Sequence, residues 1–211
     1  AHHPIAPKSI PRHAAPSLFP GPFMSFKSVA EFLDPRNGHR PTSSERELIE
    51  ATQAGETCIL WDTDEPSRPY IATEENRIRA DLLRLLITGG SKDCGLHESG
   101  VWLEGGWIEG VLDLSYCTAK GATVLDYCNF TNRPILTQMT VPLLSFDSSS
   151  FPGFFAQGLQ VADSLVMRSC KANGEVIVSG AIIGGQLDLS GAELNGEADE
   201  HGIAQGSLSA L

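Results

Sequence analysis

Apolar residues in the second half of the chain recur with a spacing that belongs to neither a single helix nor a single strand. From about Val101 onward, one column of large apolar residues contains Leu114, Leu125, Phe146, Met167 and Leu189. A second column lies five residues later and contains Ala119, Phe130, Phe151, Ala172 and Leu194. Two positions before the second column lie small residues, spaced by 11, 21, 21 and 22 positions: Cys117, Cys128, Ser149, Cys170 and Ala192. A period near 20 with one half-period step indicates a repeat architecture.

Two segments that lie 75 residues apart are almost copies of each other: 101–115 and 176–190 both end in Leu-Asp-Leu-Ser. A large apolar residue at every fifth position, with a small residue two places earlier, fits a square coil with four five-residue sides. The large side chains fill the interior of such a coil, and Gly at its corners permits tight turns. Each coil pairs its backbone with the next at about 4.8 Å. About five coils fit between residues 101 and 211, and the stack is stable only collectively.

The blocks Leu187–Leu194 (Leu-Asp-Leu-Ser-Gly-Ala-Glu-Leu) and Leu112–Ser115 resemble the pentapeptide-repeat superfamily. This resemblance implies a mainly β fold, a right-handed quadrilateral β-helix. The chain has a predicted helix over 74–88, then a Gly-rich link and then the repeat. This order of elements is similar to that of bacterial pentapeptide-like proteins that are often labelled membrane-associated oxidoreductase. The resemblance covers roughly residues 74–211. The chain departs from the regular pattern at Pro134, Pro142 and Pro152, where we expect distorted coils.

The first half of the chain predicts a small N-terminal helical cap on the β-helix. Residues 1–24 are rich in proline and predict a disordered tail, with Met24 as a natural start. Residues 25–98 predict a mixed α/β region, and residues 99–211 predict the solenoid. Within the mixed region we expect a helix over 45–54 capped by Ser43 or Ser44 and ended by Gly55, a strand over 57–61, and a helix over 74–88 capped by Thr73.

Composition excludes several classes of protein. Hydrophobic residues make up 41% of the chain and charged residues 19%, which excludes full disorder. The longest apolar stretch is far shorter than the roughly 20 residues of a membrane span. The formal net charge of -11 argues against direct binding to nucleic acid, whose phosphates attract Lys and Arg. The five cysteines form no metal-binding spacing, so we expect a reducing, cytoplasmic location, with membrane association only through a region outside these residues.

No pattern of residues predicts catalysis or a cofactor. There is no dinucleotide-binding glycine motif and no redox-active cysteine pair. Three of the cysteines occupy the small interior column, and Asp113 and Asp188 belong to the repeat itself. The acidic turn of Asp62, Asp64 and Glu65 is a candidate cation site, although it lacks the further ligands of a calcium loop. We therefore predict no catalytic, cofactor-binding or assembled metal site.

Four residues are candidates for an interaction surface. Trp102 and Trp107 lie in the first coil, where either the N-terminal helices or a partner protein would cover them. Arg77 and Arg84 lie on the predicted second helix, as either an anion site or a solvated face. At the other end, Leu208–Leu211 begins another turn of the pattern. This open edge indicates either a fragment of a longer protein or self-association.

The leading hypothesis for function is a non-enzymatic β-helical scaffold for protein–protein interaction, with an unknown partner. A second hypothesis is a DNA-mimicking inhibitor or protector of a DNA-binding enzyme such as gyrase, which the resemblance and the acidic charge allow. A third is the oxidoreductase activity implied by the family label. Mimicry requires a continuous acidic stripe, and the third hypothesis requires a bound flavin or nicotinamide.

Overall fold

Short parallel strands stack in four ladders and form a β-solenoid of about four turns. A computed structural model describes residues 26–38, 40–61, 66–90 and 95–195, and also the backbone of 208–209. Its helices are α1 (Val29–Leu33), α2 (Ser43–Ala54) and α3 (Ala80–Ile87), with a 3-10 turn at Pro35–Asn37. The predicted tail 1–24 lies outside the described residues.

The strands are short, most of them two residues long, because the chain turns a corner after every side of the coil. They are β1 (Cys58–Ile59), β2 (Arg77–Arg79), β3 (Gly100–Glu104), β4 (Trp107–Glu109), β5 (Ala122–Asp126), β6 (Asn129–Phe130), β7 (Thr140–Val141), β8 (Leu144–Ser145), β9 (Ser150–Phe151), β10 (Phe154–Phe155), β11 (Gln160–Val161), β12 (Leu165–Val166), β13 (Lys171–Ala172), β14 (Val176–Ile177), β15 (Ile182–Ile183), β16 (Leu187–Asp188), β17 (Glu193–Leu194) and β18 (Leu208–Ser209).

Each ladder forms one side of the solenoid. Ladder A contains β1, β3, β5, β8, β12 and β16, and ladder B contains β2, β4, β6, β9, β13 and β17. Ladder C contains β10, β14 and β18, and ladder D contains β7, β11 and β15. Single bridges extend ladders C and D to earlier turns, at Asp113, Ile135 and Phe155 and at Thr118 and Thr140. The chain visits the ladders in the order A, B, C, D in each complete turn.

The interior is apolar, as the columns predict. Ladder A contributes the buried residues Leu103, Leu125, Phe146 and Met167, and ladder B contributes Ile78, Ile108, Phe130, Phe151 and Ala172. Phe146 is fully buried, and its ring lies edge-on to the rings of Phe130, Phe151 and Phe154 at centroid distances of 5.8, 5.9 and 5.4 Å. Aromatic packing therefore fills the middle turns.

The first member of each predicted column is out of register by half a coil. Leu114 is buried, but its neighbour Asp113 bridges to Ile135, so Leu114 belongs to ladder C and not to the column of Leu125 in ladder A. Likewise, Thr118 pairs with Thr140, which places Ala119 in ladder D. The two Leu-Asp-Leu-Ser blocks therefore lie on opposite sides of the solenoid. The alignment of the two blocks in one column fails because opposite sides of the solenoid require the same sequence pattern, a large apolar residue followed by a corner.

Opposite sides require the same pattern because each turn has two corners at which one residue adopts the left-handed backbone conformation. Between ladders A and B the corner residues Gly105, Tyr127, Ser148, Ser169 and Gly191 have φ between 50° and 80°. Between ladders C and D the residues Tyr116, Gln138, Gly158 and Gly180 have φ between 52° and 67°. At both kinds of corner the aspartate of the block accepts a hydrogen bond from the serine N–H two residues later. These distances are 2.9 Å for Asp113–Ser115 and 3.0 Å for Asp188–Ser190.

The three prolines lie at the other corners and do not interrupt the ladders. Pro134 and Pro152 lie between ladders B and C, and Pro142 lies between ladders D and A. Proline, whose φ is fixed at about −65°, fits these corners without interrupting the backbone pairing. Leu144 still pairs with both Thr123 and Leu165. The expectation of distorted coils is therefore wrong.

The first layer of the solenoid begins earlier than the repeat pattern predicts. Cys58 pairs with Leu103, and Ile78 pairs with Ile108, so β1 and β2 add a layer to ladders A and B below Val101. The predicted helix over 74–88 is thus only Ala80–Ile87, and Thr73 does not cap it. Helix α3 follows β2 and buries its leucines against the first turn, so it takes the place of ladders C and D in this layer.

Helix α2 matches the predicted helix but has a different cap. Thr42, and not Ser43 or Ser44, is the N-cap, and it forms a capping box with Glu45. The two serines instead donate hydrogen bonds to the carbonyl of Glu74, at 2.7 and 3.2 Å. Gly55 ends the helix in the left-handed conformation, as expected.

A buried ion pair joins α2 to β2. The Glu45 side chain is fully buried and accepts Arg79 Nε at 2.8 Å on one oxygen and Arg79 Nη2 at 2.7 Å on the other. The same carboxylate accepts the backbone N–H groups of Thr42 and Arg79, both at 3.0 Å. The guanidinium also lies 4.6 Å above the ring of Phe32 in α1. The Arg79 guanidinium and the two backbone N–H groups thus compensate the buried charge of Glu45.

Among the residues that the structure describes, one interior hydroxyl has no hydrogen-bond partner. Thr123 lies in the ladder A column between Val101 and Leu144, with 1% of its surface exposed. Its Oγ1 is buried and has no hydrogen-bond partner among the described residues. Burying an unsatisfied hydroxyl costs about 1–3 kcal/mol.

Replacing Thr123 by valine is therefore expected to raise the free energy of unfolding by about 1–2 kcal/mol, since valine has the same shape without the hydroxyl. Urea denaturation would measure the change. Thr118→Val, at an exposed position on ladder D, is the control and should change stability by less than about 0.5 kcal/mol. A loss of stability in Thr123→Val would show that the hydroxyl is satisfied.

Candidate binding groove

The corner between ladders A and B differs in the first layer from every later turn that the structure describes. In the later turns two or four residues connect the strands, for example Gly105 and Gly106 between β3 and β4. In the first layer, residues 60–76 lie between β1 and β2. We call this segment the corner insertion. Its residues 62–65, which include the predicted acidic turn of Asp62, Asp64 and Glu65, lie outside the described residues.

The ends of the corner insertion are fixed to the solenoid. The Trp61 ring packs edge-on against Tyr127 at 5.3 Å and covers Gly105, where an added Cβ would lie 3.0 Å from the indole. Farther along, the Asn129 side chain donates a hydrogen bond to the Pro69 carbonyl at 3.2 Å. The Asn76 side chain accepts the N–H of Thr73 at 2.8 Å and donates to the carbonyl of Ile71 at 3.0 Å. These contacts anchor the described ends of the insertion.

The tip of the insertion exposes two apolar side chains. Tyr70 is 90% exposed and Ile71 is 70% exposed. Beside them, between the insertion, α2 and β1, lies a groove of about 730 Å³ that is open to solvent. We call it the corner groove, and the residues that line it are Glu47, Ile59, Leu60, Trp61, Ser67, Pro69, Thr73, Glu75, Asn76 and Gly105.

An acidic row on the outer side of ladder A leads away from the groove. Ile59, which lines the groove, pairs with Glu104, and Glu104 pairs with Asp126 in the next turn. Asp126 Oδ1 then accepts the N–H of Asp147, one turn farther, at 2.8 Å. Arg168 ends the acidic row, with its Nη2 at 2.5 Å from Asp147 Oδ2. One carboxylate per turn therefore follows the ladder for three turns.

Asp126 is the most perturbed carboxylate of this row. Burial raises its pKa from 3.8 to about 6, opposed by hydrogen bonds from the Ser145 hydroxyl at 2.6 Å and the Asp147 N–H, while the charges of Asp147 and Glu104 raise it further. Burial also raises the pKa of Glu104. Ionisation of Asp126 and Glu104 is therefore unfavourable in the folded protein.

Asp126→Asn is accordingly expected to stabilise the protein at neutral pH. Because the folded-state pKa of Asp126 lies above its unfolded value, Asp126 favours folding fully below about pH 4 and loses that contribution as the pH rises through about 6. At pH 7.5 the variant should gain up to about 3 kcal/mol, whereas at pH 4 the gain should vanish. Thermal unfolding at the two pH values tests this, and an equal gain at both would contradict it.

Two of the three cysteines predicted to be interior are buried as expected. Cys128 and Cys170 lie in the small column before ladder B, and burial raises the pKa of Cys128 far above its usual value and that of Cys170 to about 11, although Arg68 lowers the latter. The prediction is wrong for Cys117, because this residue precedes ladder D and is only partly buried. Cys58, which lies outside the repeat columns, is buried in β1, and burial raises its pKa to about 12. Cys94 lies outside the described residues.

The four residues predicted as an interaction surface do not form one site. Trp102 lies in ladder A and donates its indole N–H to the Ser99 carbonyl at 3.1 Å. Trp107 pairs in register with Arg77 in ladder B, and Arg77 forms an ion pair with Glu74 at 3.3 Å. Arg84, in α3, donates to the carbonyl of Asp113. The structure brings together only Trp107 and Arg77, and none of the four lines the corner groove.

The corner groove itself was not predicted from the sequence. Its signal was the apolar pair Tyr70–Ile71 directly after a polar, proline-containing turn, because such a turn rarely needs two adjacent large apolar residues. In the described part of the chain, no group of three or more His, Cys, Asp or Glu side chains is placed to hold a metal ion. None of the helices described there is long and apolar enough to cross a lipid bilayer.

Comparisons with protein-family models, curated proteins and solved structures give no match to this chain. The resemblance to pentapeptide-repeat proteins therefore remains a prediction from the Leu-Asp-Leu-Ser blocks.

Proposed function

We propose that the protein is a non-enzymatic scaffold that binds a protein partner at the corner insertion. The observation that carries this proposal is the insertion itself. It breaks an otherwise regular solenoid at one corner, exposes Tyr70 and Ile71 at its tip and borders an open groove. In repeat proteins an insertion into one repeat is often the binding element, because the remaining repeats serve to hold it.

We further propose that the solenoid is the right-handed quadrilateral β-helix of the pentapeptide-repeat type. Four ladders of two-residue strands support the quadrilateral shape. Parallel strands joined by crossovers are right-handed in nearly all proteins, which supports the handedness. Such a framework is rigid and places the corner insertion on a fixed base.

Affinity capture tests the scaffold function. The full chain is immobilised, and the proteins that it retains from a lysate of the source cells are quantified by mass spectrometry. Tyr70→Asn/Ile71→Ser should lose the specific partner. Its matched control, Tyr116→Asn/Ile182→Ser, changes residues that are 74% and 65% exposed on other sides of the solenoid and should keep the partner. Equal retention by both variants would exclude the insertion as the binding element.

The DNA-mimicry alternative has less support from the surface charges. Mimicry requires a continuous acidic stripe, and the row of Glu104, Asp126 and Asp147 is interrupted by Arg168 in the next turn. Ladder B carries Lys171, which pairs with Glu193 at 3.1 Å. The oxidoreductase alternative is tested by the absorbance of the purified native protein, where a flavin or nicotinamide spectrum would favour it over a scaffold.

A further inference from the structure

We propose that the corner groove binds an extended segment of a partner protein that carries lysine or arginine side chains. This inference rests on the scaffold function proposed above and names the chemistry of the partner. Three properties of the groove support it: its shape, the charge of its lining and the aromatic ring in its wall.

The shape of the groove favours a polymer segment over a small molecule. Its volume of about 730 Å³ lies in the range of known ligand sites. A small molecule usually buries most of its surface in a closed pocket, whereas this groove is open to solvent along the insertion. An extended chain that passes through an open groove needs to bury only one side.

The charge of the lining is negative. Its ionisable residues are Glu47, from α2, and Glu75, from the base of the insertion; both are exposed, and neither forms an ion pair with a described residue. The arginines on β2 are already paired, Arg77 with Glu74 and Arg79 with Glu45. Two unpaired carboxylates therefore face one groove, and the acidic row of ladder A begins at its wall.

Arg68 does not pair with either carboxylate. It lies in sequence between the lining residues Ser67 and Pro69, but it does not itself line the groove. Arg68 forms no ion pair with Glu47 or Glu75, and its buried Nη1 has no hydrogen-bond partner among the described residues.

Trp61 adds a surface suited to a cation. Its indole forms part of the groove wall and is held by Tyr127 and by the close approach to Gly105. Tryptophan is the most favourable aromatic partner for an arginine or lysine side chain. An indole that lines the same groove as two carboxylates favours a basic side chain in the bound segment. Ile59, Leu60 and Pro69 offer apolar contact to its neighbours.

The test uses random twelve-residue peptides selected on the immobilised full chain. The peptides that are enriched are synthesised with a fluorescent label, and their binding is measured by anisotropy at 150 mM salt. We expect enrichment of Lys and Arg flanked by apolar residues. Glu47→Gln/Glu75→Gln should weaken binding at least tenfold. Glu50→Gln/Glu175→Gln removes the same charge from exposed residues outside the groove and should weaken binding less than twofold.

A photo-reactive amino acid at position 59 should crosslink the bound peptide, whereas the same residue at position 182 should not. Three results would overturn the inference: no enrichment of basic residues, equal weakening by the two charge variants, or crosslinking at position 182 alone. The affinity capture tests the scaffold function separately, because it depends on Tyr70 and Ile71 and uses no selected peptide. If the Tyr70/Ile71 variant loses its captured partner and any of these three results is also obtained, the scaffold function is supported and only the basic partner is excluded.

Discussion

Replacing Phe146 by alanine is expected to lower the free energy of unfolding by about 3–5 kcal/mol, the largest effect of any core substitution considered for this protein. Phe146 has no exposed surface, and three other phenylalanine rings contact it within 6 Å. Backbone pairing with the turns above and below restrains the ladder, so the cavity left by the ring cannot close. Urea denaturation followed by far-UV circular dichroism would measure the loss.

Phe155→Ala is the matched control for Phe146→Ala. Phe155 lies on the outer side of ladder C, is only partly buried, and has Arg133 4.2 Å above its ring. Its removal leaves no interior cavity, so the expected loss is about 1 kcal/mol. If the two variants lose similar stability, the middle turns are less tightly packed than the ring contacts indicate.

Replacing Glu45 by alanine should destabilise the N-terminal layer by about 3–5 kcal/mol, because it leaves the Arg79 guanidinium partly buried without its carboxylate. The variant also loses the capping box of α2. The expected readout is early hydrogen exchange in α2 and β2, together with a lower midpoint in chemical denaturation. The later turns should retain their protection.

Two further variants separate the charge from the packing at Glu45. Glu74→Ala removes the exposed partner of Arg77 and should cost less than about 1 kcal/mol. The double variant Glu45→Met/Arg79→Met replaces the whole pair with apolar groups and should be more stable than Glu45→Ala. If the double variant is the least stable of the three, the ion pair contributes more than its own desolvation costs.

The interior of the solenoid could be predicted from the sequence because burial imposes a period on the residues. Leu125, Phe146 and Met167 lie in one ladder, as their spacing predicted. The assignment failed where two sides of the coil impose the same period. Leu114 satisfies the pattern of its predicted column equally well from the opposite side, and only backbone pairing distinguishes the two.

The N-terminal layer could not be predicted because local signals for helix outweighed pairing between distant residues. Residues 74–88 carry an apolar stripe with helical spacing. Ile78 belongs to that stripe, but it pairs with Ile108 and so extends ladder B. Thr73 likewise offers a cap, and its hydroxyl instead accepts the N–H of Glu75 at 3.2 Å in the turn before β2. Tertiary pairing with β4 decides the outcome, and no local pattern encodes it.

The corner groove depends still more on distant contacts. Its lining comes from α2, β1, the corner insertion and the first corner of the solenoid, which lie far apart in the sequence. Trp102 and Trp107 stood out because tryptophan is conspicuous, whereas no prediction was made for Tyr70 and Ile71. Composition predicted an acidic surface but not where the unpaired carboxylates converge.

The two left-handed corners of each turn make half a coil the smallest interchangeable unit of this protein. A duplication or deletion of about 11 residues would keep every large side chain inside and every left-handed residue at a corner. It would nevertheless rotate all later turns by half a revolution about the solenoid axis. The outer surfaces of ladders A and C would change places in those turns, and a change between the corner insertion and Glu104 would move the acidic row to the side opposite the insertion. Natural variation in repeat number could thus alter what this scaffold presents to a partner without disturbing the core that supports it.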